Sequence, residues 1–262
     1  MISWLLAGIA DFRAAIDKRN VWLALAIEDI GDQHRHTYLG PLWLLINYLA
    51  FTGTFVIIFG RSFPIPNFAI YVAVGLFVWL YISEVITLSI SLFAREEGFI
   101  KGTTLPLAVY VMRLTMQSLI RAGYAASGCV VIVLFAGNPI EAVWLWSLVA
   151  LLLIFAVTPA AITLLAVAGA YFPDLQFVVA NVMRVGMFLT PIFWIGDNSG
   201  GMRQAIYQWN PFTYFLEIVR APVYAGAIPL DAYAVALPIC IVTWIAALMS
   251  LGFSRHRLVF VL

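Results

Sequence analysis

Charged and apolar residues are segregated into blocks along this chain. Six stretches of twenty residues or more carry almost no charge. Gly40–Phe59, Val143–Phe172 and Ala232–Phe253 have none. Phe68–Phe93 has only Glu84, Leu105–Phe135 has Arg113 and Arg121, and Leu175–Ile195 has Arg184. A helix needs about 20 mainly apolar residues to cross the hydrocarbon core of a bilayer. The pattern therefore predicts an all-α membrane protein with six transmembrane helices. Strands of a membrane barrel would show short alternating segments instead.

Ahead of the first block, Leu5, Ile9, Phe12 and Ile16 recur at helical spacing, with Asp11, Arg13, Asp17 and Lys18 around the rest of the circumference. This segment is too short and too charged to span. It reads as a helix in the plane of the membrane interface, or as a soluble helix packed on a partner. Residues 1–39 form a cytoplasmic amphipathic interface segment in this reading, and 40–262 the six-span transmembrane domain.

Between the fifth and sixth blocks, about residues 196–231, the chain is neither polar nor long enough to cross twice. Asn210 caps a short helix with Pro211 in its first turn, and Pro222 is expected to end it. Glu217 and Arg220 lie three apart and pair on one face. Two half-length apolar helices of this kind are expected to be re-entrant, tolerated only where protein or water covers them.

Composition agrees: 64% of residues are hydrophobic and 10% charged, where a soluble domain has about 25% charged. Net charge is +1, so nothing points to nucleic acid. Six spans place both termini on one side, and charge bias decides which. With cytoplasmic ends, the inside holds Arg13, Lys18, Arg19, Arg35, Arg95, Lys101, Arg255 and Arg257, and the outside only Arg61, Arg203 and Arg220. Trp144, Trp146 and Trp194 then fall at the outer interface and Trp43 at the inner one. Gly40-Pro41 marks a corner between a segment lying along the membrane and one passing through it.

The inner loop Arg95–Thr104 sets Arg95, Glu96, Glu97 and Lys101 around the apolar pair Phe99-Ile100. A short helix with charged ends and an apolar knob suits a groove on a cytosolic protein; a solvated loop is the alternative. Within the spans, Arg113 sits near an end and can snorkel. Arg121 is deeper and is the candidate for lining a polar path. Arg184 and Glu84 are either path-lining or members of a structural ion pair.

Catalytic chemistry finds no footing. His34 and His36 diverge on a helix and are not expected to bind metal. Cys129 and Cys240 lie inside apolar blocks and make no disulfide framework. Of the two lysines, Lys18 and Lys101, neither follows a glycine, so a phosphate-binding Gly-Lys-Ser/Thr loop is excluded. Any ATP must be bound by another chain.

Five segments resemble, in order, the permease subunits of ABC exporters for O-antigen, capsular polysaccharide and teichoic acid. Glu28–Trp43 resembles the lead into that family's Leu-Gly-Pro-Leu-Trp start. Tyr171–Val179 is similar to its turn between spans four and five, with Pro173 in place of the usual Arg. Phe188–Trp194 resembles its Thr-Pro-Ile segment, Trp209–Gly226 its Asn-Pro segment ending in an Arg and a short tail, and Arg255–Leu262 its C-terminus. The resemblance covers nearly the whole chain. It implies a homodimer in the bacterial inner membrane above two ATPase subunits, which bind ATP and Mg and contact the N-terminal helix and the Arg95–Lys101 loop. It implies export of a lipid-linked polysaccharide, with the outer helices gating the exit and Trp209, Phe212, Tyr214, Glu217 and Arg220 at that gate. One departure is the acidic and histidine-rich lead of Glu28, Asp32, His34 and His36, where the family is basic. Attraction to a lipid pyrophosphate is then weaker or carried elsewhere, with Arg35 the candidate. The competing readings are a permease for a drug or smaller lipid and an ion-coupled secondary transporter, which would want paired intramembrane acids. A membrane-embedded transferase would want a His, Asp and Glu cluster at one membrane face.

Overall fold

The computed structural model describes residues 2–60, 65–137, 139–196, 201–255 and 257–261, apart from the side chain of Val259; Arg61 of the outer charge group lies outside them. Among the described residues the regular secondary structure is all helical, with no strand. The elements are α1 (Ile2–Asp17), α2 (Arg19–Gln33), α3 (Leu42–Phe59), α4 (Phe68–Ile90), α5 (Leu92–Arg95), α6 (Glu97–Gly102) and α7 (Leu107–Phe135). A 3-10 turn (Ala142–Trp144) leads into α8 (Leu145–Tyr171), followed by α9 (Leu175–Leu189), α10 (Met202–Trp209), α11 (Pro211–Tyr224), α12 (Leu230–Ser254) and α13 (Leu258–Val261). Five helices, α3, α4, α7, α8 and α12, are long and apolar enough to cross a membrane. Each begins and ends close to the limits that hydropathy sets.

α4 is the hub of the bundle. It is surrounded by α3, α7, α8, α9 and α11. In its most apolar window 67% of residues are buried in protein, against 11% for α3, which has protein on one side only. The corner before α3 is built as expected: Gly40 adopts φ +54°, a conformation that suits glycine, and Pro41 directly precedes the helix.

α9 departs from the expected block Leu175–Ile195. Its 15 residues extend about 22 Å, short of a ~30 Å core. The cause is local. Pro191 forces the residue before it out of helical geometry, and Thr190 is extended at ψ 140°. The following backbone runs along the start of α4, where the Tyr71 hydroxyl donates to the carbonyls of Pro191 (3.2 Å) and Trp194 (2.7 Å).

α1 also differs from expectation. Of Leu5, Ile9, Phe12 and Ile16, only Phe12 is buried, while Ile9 is 43% and Ile16 57% exposed. The seated face is Gly8, Asp11, Phe12 and Ala15. A side chain at Gly8 would strike the backbone of Leu248, and one at Gly252 the backbone of Trp4. α1 thus lies backbone-to-backbone on the last turns of α12. This contact puts both chain ends at one end of the bundle, called here the terminal face.

α10 and α11 form a hairpin pivoting at Asn210. The Asn210 side chain accepts the Phe212 amide proton at 3.0 Å and donates to the Thr190 hydroxyl at 2.9 Å. Phe212 packs edge-on against Trp79, halfway along α4. Tyr224, at the other end of α11, reaches the Pro66 carbonyl at 3.0 Å, just beyond the start of α4. Pro222 does not end α11, which continues to Tyr224; only its last turn lies beyond the lost amide.

Candidate functional site

Three groups of polar side chains are assembled in this apolar bundle. The first is at the terminal face, around the expected docking loop. Phe99 is 57% exposed, flanked by the exposed pair Lys101–Glu97 at 2.6 Å, one helical turn apart. Arg95 and Glu96 turn back into the chain. Arg95 donates to the Leu88 carbonyl at 3.1 Å, and Glu96 receives Arg113 at 2.9 Å.

Arg113, read from sequence as a snorkelling residue, is the centre of this group. Its Nε and one terminal nitrogen donate to the two oxygens of Asp29 at 2.6 and 2.7 Å. Gln117 donates to the same carboxylate. One guanidinium therefore ties α2, α7 and the α5–α6 corner together beside a polar recess of about 290 Å³. Nearby, the buried Asp11 carboxylate accepts the Ala108 amide at the start of α7 at 2.8 Å. Burial pushes the Asp11 carboxyl above its ordinary value, against the pull of that amide and of Arg255.

The second group lines a lateral cleft of about 810 Å³ between α3, α4 and α7. Asn47, Thr54, Ser83, Thr87, Glu84 and Arg121 contribute to its wall. Arg121 donates to Glu84 at 2.7 Å and reaches Gln33 of α2 at 3.3 Å. The ion pair keeps both charges compatible with an apolar surround. Arg184 and Arg35 do not line this cleft. Arg184 is exposed on α9 with no ion-pair partner among the described residues, and Arg35 is exposed on the α2–α3 connection, 3.5 Å from Asp32.

The third group lies near Tyr71, at the opposite end from the chain termini. Arg220 is 1% exposed. It donates to the Pro191 carbonyl at 2.6 Å, pairs with Glu217 as the spacing predicts, and stacks 3.8 Å from the centroid of Tyr71. It therefore locks α11 to the broken end of α9 and to α4. Tyr214 donates to the Gln208 carbonyl at 2.7 Å, bracing the hairpin. Trp209 stands apart at 85% exposure. Proline dipeptides and the Glu217–Arg220 spacing signal this group in the sequence. Tyr71, Asp29 and Gln117 carry no such signal, because their partners lie far along the chain.

His34 contacts the Ile30 carbonyl at 3.0 Å, and His36 is exposed. Among the described residues no cluster of His, Cys, Asp and Glu is arranged to hold a metal.

A bundle with five apolar helices of span length, an ion-paired lateral cleft and an apolar knob between charges at one end is that of a polytopic membrane protein. The family described as ABC-2 type transporter matches residues 21–224, and the chain belongs to it. It is 24% identical over 248 residues to the O-antigen export system permease protein RfbA of Myxococcus xanthus, covering 91% of this chain and 94% of the relative. It is 22% identical over 187 residues to the protein of the same name from Klebsiella pneumoniae, covering 70% of this chain and 72% of the relative.

Proposed function

We propose that this chain is the transmembrane subunit of an ATP-driven exporter that moves a lipid-linked polysaccharide of O-antigen type across the bacterial inner membrane. The likeness to the two O-antigen export permeases over most of their length carries this reading. It performs no chemistry itself. ATP and Mg belong to two nucleotide-binding subunits that dock on the cytoplasmic face around Phe99, Glu97 and Lys101.

The terminal face is the cytoplasmic one. Residues 1–39 lie along it and 40–262 form the transmembrane domain. α9 and the extended backbone to Trp194 make the sixth crossing together, and α10–α11 is a re-entrant hairpin that enters from outside. Buried irregular backbone is acceptable at that depth when its carbonyls are satisfied, as those of Pro191 and Trp194 are by Tyr71 and Arg220. Two copies form the transporter. α3 and α9 leave apolar faces uncovered, including Phe51, Ile57, Phe177, Val182 and Phe188. Pairing through these faces encloses the cleft, so that Arg121 and Glu84 border the path and Arg184 gains a covered setting. Arg35 lies at its entrance. Arg220 and Glu217, with Phe212 and Tyr214, hold the outer gate.

Deletion of the chain from its bacterium is expected to strip long polysaccharide from the cell surface and leave it lipid-linked on the cytoplasmic leaflet. Re-expression restores the surface polymer. Undiminished surface polysaccharide in the deletion strain would overturn the assignment.

A further inference from the structure

A third cavity, of about 530 Å³, opens between α7 and α8. Its walls include Val74, Ala126, Val130, Leu148 and Val219, and its mouth carries Trp144 and Glu141. It lies at the end of the bundle away from the chain termini, where α7 ends at Phe135 and α8 begins at Leu145. Its size is that of a small-ligand pocket, roughly 300–1,000 Å³.

Water does not settle in a dry apolar cavity, which offers it no hydrogen-bond partners. An unfilled one forfeits dispersion contacts along its whole lining. The walls run without a break into exposed apolar surface: Val130 is 55%, Leu148 57%, Leu145 62% and Ile140 72% exposed. With the proposed pairing through α3 and α9, this face is left to bilayer hydrocarbon. The mouth is charged. Glu141 is exposed, its carboxylate lies against Gly226, and among the described residues no cation pairs with it.

We infer that this pocket binds one hydrocarbon chain of a phospholipid with an ammonium headgroup, the chain between α7 and α8 and the ammonium on Glu141. The apolar lining selects hydrocarbon, and the lone carboxylate favours a headgroup that ends in an ammonium over one that carries no cation. Trp144 at the rim matches the interfacial level of such a headgroup. The inference rests on the pairing and membrane orientation of the proposed function, and the site involves none of the residues placed in the cleft or gate.

The test is native mass spectrometry of the full chain extracted from vesicles of equal phosphatidylethanolamine and phosphatidylglycerol with identical acyl chains. The ethanolamine lipid is expected to be retained roughly two- to fivefold over the glycerol lipid, the range for an exposed charge pair. Glu141→Gln should abolish that preference while leaving total retention unchanged. Ala126→Phe and Val130→Trp, made separately to fill the pocket, should each lower retention of both lipids, with helix content checked by circular dichroism. Equal retention of the two lipids by the parent chain overturns the headgroup assignment. Undiminished retention in a folded filling variant overturns the pocket.

Discussion

Removal of Arg113 should loosen the whole terminal face. The guanidinium makes two hydrogen bonds to Asp29 and one to Glu96, and the side chains are 15%, 23% and 17% exposed respectively. Breaking a fully buried ion pair costs about 3–5 kcal/mol, because an uncompensated charge is left behind. Here water reaches both carboxylates, so Arg113→Met is expected to cost about 2–3 kcal/mol, near the value of one or two charged hydrogen bonds. Asp29→Asn keeps an acceptor for Arg113 and should cost less, about 1–2 kcal/mol. Because the two residues share one contact, the double variant should fall short of the sum by about 1–2 kcal/mol. Denaturing detergent titrated into mild micelles, followed by circular dichroism, measures all three. Limited proteolysis of α2 supplies a second readout, since α2 should become cleavable in each variant. Additivity within ~0.5 kcal/mol, with α2 still protected, would refute the claim that Arg113 holds α2 in place.

Phe99→Asp should leave the permease folded and deplete its ATPase from affinity-purified complexes; full co-purification would reject docking through α6. With Cys129 and Cys240 replaced, a cysteine at Asp231 should react with an impermeant thiol reagent from the periplasm, one at Arg257 only after the inner membrane is opened, and one at Phe215 hardly at all. Rapid labelling at Phe215 would make α10–α11 an ordinary exposed loop. Asp11 is raised above 3.8 in the folded chain, so the folded state holds its proton at pH values where the unfolded state has lost it. Stability should therefore rise as pH falls through the raised value towards 3.8, and denaturation midpoints of Asp11→Asn against the parent should show that component gone.

Hydropathy made the five long spans legible almost to their ends, because twenty consecutive apolar residues admit few other readings. It overestimated α9, where Pro191 sets the boundary and buried carbonyl partners let apolar residues continue without helix. It chose the wrong face of α1, because the seam is built from Gly8 and Ala15, and small residues that permit close packing score low as hydrophobes. Glu217–Arg220 could be read from spacing. The Arg121–Glu84 and Arg113–Asp29 pairs could not, since their members are 37 and 84 residues apart and meet only once the bundle is packed.

The seat of α1 has a consequence for biosynthesis. α1 leaves the ribosome long before the surface it packs on, Leu248 to Gly252 of α12. At ~5–20 residues per second, the N-terminal helix waits tens of seconds before its partner exists. Throughout that interval Gly8 lacks the Leu248 backbone it seats on, and the Asp11 carboxylate, although α7 can already offer it the Ala108 amide, lacks its counter-charge at Arg255. Completion of the terminal face therefore reports that α12 has been inserted. A chain stalled before α12 leaves α1 held by α7 without its seat on α12, a visible mark of an unfinished subunit.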